Sequence, residues 1–478
     1  MIRKGERADS EARAESSFMM ETDTETLYRL FRECGKVSTD SRSISGGEIF
    51  FALEGENFNG NEYALKALDS GAAYAVVSAG FFGGKLPEGK YKGRLIPVQD
   101  TLKALQQLAR YHRSMTFVNG RPLPVIGLTG TNGKTTTKEL ITAVLSVRYN
   151  VTATEGNLNN SIGVPLTLLK IGSQTQIAVV EMGASHPGDI RELVSVALPD
   201  YGLITNVGKA HLLGFGSFEG VMKAKGELYD YIQRTADKVF INVDNPYLCR
   251  MASERPDLIT IPYGVAYQGV SVLETSPEHP YLRMEIPDAD GGEGATVTVD
   301  SHLVGAYNAD NVMAAIAVGR EFGVGLKEAV AAINAYIPAN SRSQLIRTGR
   351  NTLIADAYNA NPTSMAAAMD NFISIDSGHK AMMLGDMLEL GPDSFREHLE
   401  IVRKAAGTDM QVFLVGQEFR RALDMFRNED KNGRTTLFMD FGTSGDLASW
   451  LAANPLDGYT VLVKGSRGMK MEKVLTVL

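Results

Sequence analysis

Short apolar runs alternate with stretches of helical periodicity along most of this chain. In the first region, which ends near Asn119, the runs GEIFFAL and AAYAVVS predict strands, and EYALKALDSG between them predicts a helix. The stretch from Thr101 to Met115 has apolar residues at helical spacing and predicts the last helix of the region. The connector VNGRPLP contains glycine and proline, so it marks a first domain boundary.

The second region has the pattern of a parallel sheet with helices on both faces. The run PVIGLTG predicts a buried strand, a turn with glycines follows it, and a helix is predicted from about Lys134 to Val147. Further buried strands are predicted in TQIAVVEMG, YGLITNVG and KVFINVDN, with helical stretches between them. Short alternating runs from Leu258 to Val304 predict a small antiparallel insertion, and an alanine-rich helix is predicted from about Ala309 to Phe322.

The third region begins near the segment AYIPANSR, which marks a second boundary. Beyond it, NTLIADAYN, KAMMLGDM, MQVFLVG and YTVLVKG predict strands that are each followed by a helical stretch. We therefore expect an α/β protein of three domains. These are a small N-terminal α/β substrate domain at 21–121, a central P-loop ATPase-like parallel sheet with an antiparallel insertion at 122–338, and a C-terminal Rossmann-like domain at 339–478.

Composition limits the classes of function. The 478 residues are 44% hydrophobic and 22% charged, which is typical of a globular protein and excludes disorder over most of the chain. The net charge of -8 disfavours general binding to nucleic acid, so any phosphate must be bound locally. No apolar stretch approaches the ~20 residues of a membrane helix. The charged segment 1–20 predicts a disordered extension rather than a signal peptide. Together with two cysteines far apart in sequence, this indicates a cytoplasmic protein.

A glycine-containing turn after the first strand of the second region predicts a phosphate-binding loop. It consists of Gly130, Thr131, Asn132, Gly133, Lys134, Thr135 and Thr136. Glycines let backbone N–H groups point at phosphate oxygens, and the following helix N-terminus adds a positive dipole. Lys134 supplies a charge for the β- and γ-phosphates, and the Thr135 hydroxyl is suited to Mg²⁺. The spacing G-x-x-G-K-T is shorter than the usual loop, and the alternative is a simple turn with a surface lysine.

Polar residues follow two other predicted strands at the same edge of the sheet. Glu181 is either a ligand for nucleotide-bound Mg²⁺ or a carboxylate that accepts from a neighbouring N–H group, and the residues alone leave both open. His211 is more often structural than a ligand in such a position. Lys223 and Lys225 lie on a predicted helix, and periodicity alone leaves both lysines without an assigned role.

Taken together, these residues resemble the Mur ligase family, the ATP-dependent amide-forming enzymes of peptidoglycan synthesis. The resemblance covers almost the whole chain after the extension. Seven segments carry it, in the order of the family: STDSRSISGGEIFFALEGENFNG, GLTGTNGKTTTKEL, GNLNNSIGVPLTLL, EMGASHPGDI, NVGKAHLLGFGSFEGVMKAKGE, GAYNADNVMAAIAVG and DAYNANPTSM.

The resemblance implies roles at the ATP site. Lys134 and the loop amides would hold the phosphates of ATP, and Thr135 and Glu181 would carry one Mg²⁺. His211 would help to hold a second Mg²⁺. Lys225 resembles the family lysine that CO₂ converts to a carbamate, an anionic oxygen ligand, although Lys223 lies close enough to compete for this assignment.

The resemblance also implies nucleotide and substrate contacts. Asn308 and Asn311 match asparagines on the adenine side, whereas Tyr307 stands where many relatives have histidine. In the third region, Arg342 would lie near the phosphates, and Asp356 and Asn359 near the nucleotide or the incoming amine. The remaining matches concern the nucleotide-sugar substrate: Ser41 and Arg42 fall in the uridine-nucleotide segment, and Asn157, Asn159 and Asn160 in the muramoyl-peptide loop.

The activity implied by the resemblance is ligation through an acyl phosphate. The closest family pattern is that of members that add D-alanyl-D-alanine to UDP-N-acetylmuramoyl-tripeptide, with no nucleic acid or membrane span involved, and we expect a monomer. The alternatives are another amino-acid-adding Mur enzyme, a folylpolyglutamate-synthase-like ligase, a P-loop kinase, or an ATP-binding regulatory protein without catalysis.

Overall fold

The computed structural model describes residues 22–83, 86–235, 237–276, 279–338, 344–430 and 433–478. The predicted extension at 1–20 and the predicted phosphate contact Arg342 lie outside the described residues. Among the described residues, no helix combines the length and the apolar composition needed to cross a bilayer.

The first region contains a small parallel sheet covered by helices. Its strands are β1 Val37–Ser38, β2 Ile49–Phe51, β3 Glu54–Gly55, β4 Phe58–Asn59, β5 Tyr74–Ser78, β6 Leu95–Val98, β7 Phe117–Val118 and β8 Arg121–Pro122, and its helices are α1 Thr24–Cys34, α2 Ala64–Asp69 and α3 Thr101–Ser114. Four strands pair in the order β1-β2-β5-β6, all parallel. Asp100 begins α3 by accepting a hydrogen bond from the Lys103 N–H at 2.9 Å. This confirms the helix predicted from Thr101.

The central region is built on a six-stranded parallel sheet in the order β10-β11-β9-β12-β13-β14. The strands are β9 Val125–Thr129, β10 Val151–Ala153, β11 Ile177–Glu181, β12 Tyr201–Ile204, β13 Lys238–Asn242 and β14 Ile259–Tyr263. The helices are α4 Lys134–Leu145, α5 Gly163–Leu168, α6 Asp189–Ala197, α7 Leu212–Phe215, α8 Phe218–Thr235, α9 Pro246–Ser253, α10 Ala309–Glu321 and α11 Leu326–Ala335. Strand β9 lies between β11 and β12, and all five of its residues are buried. The carboxyl ends of β9, β11 and β12 therefore meet at one edge of the sheet.

The antiparallel insertion is shorter than predicted. Strands β15 Ser271–Val272, β16 Arg283–Pro287 and β17 Thr296–Asp300 form it. The sequence prediction began the insertion at Leu258, but β14 pairs in parallel with β13, from Lys238↔Ile259 to Asn242↔Tyr263. The prediction was wrong there because β14 is an edge strand with several exposed residues, so it lacks the continuous apolar run of a buried parallel strand.

The third region is a second doubly wound sheet in the order β18-β19-β23-β20-β21-β22. Its strands are β18 Gln344–Arg347, β19 Thr352–Asp356, β20 His379–Gly385, β21 Gln411–Val415, β22 Phe438–Phe441 and β23 Tyr459–Lys464. Its helices are α12 Pro362–Ser374, α13 Ser394–Ala405, α14 Gln417–Glu429, α15 Ser444–Ala453 and α16 Glu472–Leu475. All pairs are parallel except β18 with β19. Strands β18 and β22 were not predicted.

Contacts group the chain into two compact units. Within the described residues, one unit comprises those up to 123 together with 157–174 and 195–198, and the other comprises 124–156, 175–194 and those from 199 onwards. The segment 157–174, which carries α5, therefore packs with the first region. Three regions, each with its own largely parallel sheet, confirm the predicted α/β fold class. The boundaries predicted at residues 121 and 338 stay predictions.

Candidate functional site

The predicted phosphate loop connects the end of β9 to the start of α4. Gly130 and Gly133 have φ angles of 152° and 77°, which residues other than glycine rarely adopt. A Cβ atom at Gly130 would lie 1.9 Å from Thr205 Oγ1, and one at Gly133 would lie 2.5 Å from Asn311 Oδ1. The loop therefore needs glycine at both positions, as the motif predicts.

The end of β12 holds the loop from one side. The N–H groups of Thr131 and Asn132 donate to Asn206, to its carbonyl at 2.9 Å and to its side-chain Oδ1 at 3.0 Å. Thr205 Oγ1 donates to the Asn132 carbonyl at 2.6 Å. Two loop amides predicted to face phosphate are therefore engaged within the protein. The amides that open α4 keep the orientation suited to an anion, because the first N–H groups of a helix have no partner within it.

The predicted metal ligands Thr135 and Glu181 lie together. Thr135 Oγ1 donates to Glu181 Oε2 at 2.9 Å, and both residues are buried. The Glu181 N–H donates to Thr154 Oγ1 at 3.0 Å, and the Lys138 ammonium donates to the Thr154 carbonyl. Glu181 is thus held through both its backbone N–H group and its side-chain carboxylate. The Lys134 ammonium folds back over the loop onto the carbonyls of Gly130 at 2.9 Å and Thr131 at 3.1 Å.

The structure distinguishes between the two lysines of α8. Lys223 is exposed, whereas Lys225 is 2% exposed and its Nζ lies 5.9 Å from the centre of the Phe215 ring. Burial lowers the pKa of Lys225 well below its ordinary value of 10.5, and the nearby charge of Lys134 lowers it further. The buried amine is therefore favoured in its neutral form.

His211 lies beside these lysines. It has a left-handed φ of 50°, precedes α7, and contacts the Glu389 carboxylate through Nδ1. Burial lowers the pKa of His211, Glu389 opposes that change, and the charges of Lys134 and Lys225 add to the lowering. Lys134 acts on the pKa of both His211 and Lys225, and Lys225 acts on that of His211, so the three predicted residues lie in one cluster. Glu389, which also has a left-handed φ of 65°, was missed by the sequence analysis.

Asn308 and Asn311 lie behind the loop. Asn311 accepts from Thr137 Oγ1 at 3.0 Å and donates to Asn308 Oδ1 at 2.9 Å, and Asn308 donates to the Val304 carbonyl at 2.9 Å. Both side chains are buried. These contacts link α10 to α4 and support the loop, so each amide already has partners inside the protein.

In the third region, polar residues converge where β19 and β23 end. The buried Lys464 ammonium pairs with Asp356 and donates to the Asn359 carbonyl at 3.2 Å. Two residues later, Asn361 Nδ2 donates to Asn132 Oδ1 of the phosphate loop at 2.7 Å. The predicted residues Asp356 and Asn359 therefore belong to a segment that contacts the loop. Lys464 and Asn361 were not predicted.

The segment that contains Ser41 and Arg42, predicted to contact the uridine nucleotide, has its own ion pair. The Arg42 guanidinium lies 2.8 Å from Asp40, and hydrogen bonds from Arg42 lower the pKa of Asp40 to about 2. The Arg42 side chain is 85% exposed. A cavity of about 850 Å³ lies beside this segment and includes Ser38, Asp40 and Ser43 in its lining.

The three asparagines predicted to contact the muramoyl peptide differ in their contacts. Asn160 Oδ1 accepts from the N–H groups of Ile162 at 3.2 Å and Gly163 at 2.9 Å, which caps the start of α5. The Asn159 N–H donates to the Asn157 carbonyl at 2.8 Å, which forms a tight turn. Asn157 and Asn159 are therefore placed on a turn whose end is fixed by Asn160.

Metal binding at this edge would depend on oxygens besides those of the protein. Nowhere in the described ranges do three or more His, Cys, Asp and Glu side chains converge in a way that could hold a metal ion. Thr135 and Glu181 nevertheless offer two hard oxygen donors, and Mg²⁺ ordinarily completes its shell with water and substrate phosphates. The donor set thus fits a nucleotide-bound Mg²⁺.

Comparison with protein families gives three matches in chain order. The model for the catalytic domain of the Mur ligase family matches residues 34–113. The model for the Mur ligase middle domain matches 128–319, and the model for the Mur ligase glutamate ligase domain matches 341–467.

Individual relatives match over nearly the same length. The chain is 34% identical over 454 residues to the UDP-N-acetylmuramoyl-tripeptide–D-alanyl-D-alanine ligase of Bacillus subtilis (strain 168), with 92% of each protein covered. The structure of MurF from Acinetobacter baumannii is similar with a TM-score of 0.79 at 29% identity, covering 92% of both chains. MurF from Thermotoga maritima, solved in complex with ADP, has a TM-score of 0.77 at 25% identity, covering 92% of this chain and 96% of the other.

Proposed function

We propose, because this chain belongs to the Mur ligase family, that it is an ATP-dependent ligase that joins D-alanyl-D-alanine to UDP-N-acetylmuramoyl-tripeptide. The products are the pentapeptide precursor of peptidoglycan, ADP and phosphate. The observation that carries this proposal is the convergence of Lys134, the Thr135–Glu181 pair and the buried Lys225 at the carboxyl edge of the central sheet. A regulatory ATP-binding protein without catalysis would have no need of the buried amine.

The chemistry begins with an unreactive carboxylate. A carboxylate oxygen attacks the γ-phosphorus of ATP, the bond from that phosphorus to the β-γ bridging oxygen breaks, and an acyl phosphate and ADP form. The amine of D-alanyl-D-alanine then attacks the acyl carbon, a C–N bond forms, the C–O bond to phosphate breaks, and the amine proton passes to a base. Lys134 and the first amides of α4 would position the phosphates and offset the charge that develops on them.

Two Mg²⁺ ions complete the proposed site. Thr135 and Glu181 would hold one, together with phosphate oxygens, and His211 and a carbamate on Lys225 would help to hold the other. When bound, Mg²⁺ neutralises phosphate charge and orients the oxygens of ATP. The support from this chain is the buried, hydrogen-bonded pair of Thr135 and Glu181 and the histidine that lies beside Lys134.

The carbamate requires a neutral amine, and the environment of Lys225 favours one. The amine nitrogen attacks CO₂, a C–N bond forms, one C=O bond becomes C–O⁻, and the nitrogen loses a proton. A neutral amine would thereby become an anionic oxygen ligand beside Lys134 and His211. Exposed Lys223 lacks the burial that favours this reaction.

Substrate contacts are proposed on the matched segments. Ser41 and Arg42, together with Asn157, Asn159 and Asn160, would contact the nucleotide-sugar peptide, and the cavity beside Ser43 supplies a concave surface next to the first segment. Asn308 and Asn311 would contribute on the adenine side through the loop they support. Arg342 would lie near the phosphates, and Asp356 and Asn359 near the nucleotide or the incoming dipeptide. The monomeric state and cytoplasmic location stay predictions.

A panel of acceptors tests this function. ADP release is measured with ATP, Mg²⁺ and UDP-N-acetylmuramoyl-tripeptide while the acceptor is D-alanyl-D-alanine, a single amino acid, glutamate or none. We expect rapid release only with D-alanyl-D-alanine. Release without any amine would indicate a kinase, and binding of ATP without release would indicate a regulatory protein. When a folate substrate replaces the nucleotide-sugar peptide, release with glutamate would indicate a folylpolyglutamate-synthase-like ligase.

A further inference from the structure

Arg467 follows β23 and presents an exposed guanidinium at the strand end. The guanidinium stacks over the Tyr358 ring, with its Cζ 5.3 Å from the ring centre, and Nη1 donates to the Tyr358 hydroxyl at 3.1 Å. Stacking on an aromatic ring restricts the long side chain to a small set of conformations. The charge is therefore exposed but held in place.

The backbone that carries Arg467 is fixed to the segment after β19. The Arg467 N–H donates to Asn359 Oδ1 at 3.4 Å, and Ser466 Oγ donates to the Ala360 carbonyl at 3.1 Å. Ser466 Oγ also accepts from the Leu388 N–H at 2.9 Å, and Ser466 is buried. Three separate contacts thus hold the turn that presents the guanidinium.

The same segment leads directly to the phosphate loop. Asn359 contacts Arg467, and Asn361, two residues later, contacts Asn132. Two residues span at most roughly 7 Å, which is also about the length of a dipeptide from its amine to its carboxylate. A dipeptide whose amine points towards the phosphate loop would therefore bring its carboxylate to the neighbourhood of Arg467.

At this edge of the third region, the guanidinium of Arg467 is a cation that a ligand can pair with. Asp356 is already paired with the buried Lys464. Across the part of the chain that the structure describes, Arg467 itself forms no ion pair. A planar guanidinium is matched in shape and charge by a carboxylate, which it can bind through two parallel hydrogen bonds.

We propose that Arg467 binds the terminal carboxylate of the acceptor dipeptide and so selects acceptors that end in a free acid. This rests on the proposed ligase function and assigns the recognition of one end of its acceptor. Because of Arg467, an acceptor needs both an amine and a carboxylate that lies one peptide unit away from it.

The experiment compares D-alanyl-D-alanine with its C-terminal amide as acceptors, at saturating ATP and UDP-N-acetylmuramoyl-tripeptide. The wild-type protein should prefer the acid. In Arg467→Met, the KM for the acid should rise roughly tenfold to 100-fold, the size expected from losing a charge-assisted pair, while kcat/KM for the amide changes little. Arg467→Lys keeps the positive charge but lacks the planar guanidinium with its two parallel donors, so it should retain part of the preference for the acid.

Arg421→Met is the matched control, because Arg421 is also exposed and stacks on a ring of the same region, that of Phe395 at 5.0 Å. It should keep the wild-type preference for the acid. The assignment would be overturned if Arg467→Met lost activity equally with acid and amide, or if its KM for the acid were unchanged. Should the methionine variant fail to fold, the acid preference of Arg467→Lys provides the test instead. Absence of ligation by the wild-type protein would instead contradict the proposed function itself.

Discussion

The Asn361 carboxamide donates to the Asn132 carboxamide at 2.7 Å and joins the start of α12 to the phosphate loop. Asn361 also caps α12, since its Oδ1 accepts from the Ser364 N–H at 2.9 Å. One side chain therefore both begins a helix of the third region and contacts the loop of the central region. Through this hydrogen bond, the third region contacts the phosphate loop and helps to fix the position of Asn132.

Replacing Asn361 with serine separates these two roles. Serine retains the capping oxygen, but it is too short to reach Asn132. We expect a loss of roughly twofold to tenfold in kcat/KM for ATP, the size of one neutral hydrogen bond, with little change in melting temperature. Asn245→Ser, at the cap of α9, is the control and should leave ATP kinetics unchanged. Equal kinetics in both variants would show that the amide pair has no part in ATP use.

Removing the Lys134 charge should abolish ADP release that depends on both substrates. Lys134→Ala takes away a positioned cation beside the phosphates, and we expect activity to fall by roughly 100-fold or more. Thermal melting checks that the fold is retained, because the ammonium also donates to two loop carbonyls. Near-normal turnover in a folded variant would remove Lys134 from the mechanism.

Lys225→Ala should lose activity by roughly 100-fold or more, because the ligand for the second cation is removed. Added short-chain carboxylic acids should restore part of it by supplying the missing oxygens. Lys223→Ala, two residues away on the exposed side of α8, should behave as wild type. The carbamate itself should give a signal in ¹³C spectra after exposure to labelled CO₂. Full activity in Lys225→Ala would assign the buried lysine a structural role only.

His398 should make stability fall on acidification. Its Nε2 accepts from the Met387 N–H at 2.9 Å, and its Nδ1 lies 2.7 Å from the Ser394 carbonyl, so the buried ring is held neutral. Burial lowers the pKa of His398 below its ordinary value of 6.5. The unfolded chain therefore binds the proton more readily, and stability present above pH 6.5 is lost as the pH falls through the range between the two pKa values.

The measurement is the melting temperature from about pH 7.5 to about pH 5.5. His398→Gln keeps an acceptor for Met387 without the titration, so its melting temperature should fall less steeply than that of the wild type. The exposed His379→Gln variant should fall like the wild type. Parallel curves for all three proteins would exclude His398 as a source of the pH dependence.

The sequence predicted the features that depend on neighbours in the chain. Gly130, Gly133 and Lys134 form a local motif, and Thr135 and Glu181 follow strands whose order in a parallel sheet brings them together. Burial of Lys225 rather than Lys223 did not follow from the helix period, because residues on most sides of α8 are buried, and only the family resemblance favoured Lys225. The predictions for the loop and its neighbouring carboxylate needed the motif itself and the rule that parallel strands end at one edge.

Contacts between distant parts of the chain were not predictable in this way. Asn206, Glu389 and Asn361 contact the loop or His211 from 74, 178 and 229 residues away, and polar residues in loops carry no periodic signal. Asn361 did carry a local signal as an Asn-Pro helix start, but this indicated a cap rather than its contact with Asn132. Strand β22 was missed because it is four residues long with mostly half-buried positions.

The central claim is that the loop after β9 serves to activate an acid by phosphorylation. UDP-N-acetylmuramoyl-tripeptide labelled with ¹⁸O in its terminal carboxylate tests this most directly, with the released phosphate analysed by mass spectrometry. An acyl phosphate predicts that one labelled oxygen appears in phosphate for each peptide bond formed. Ligation that releases only unlabelled phosphate would contradict the account.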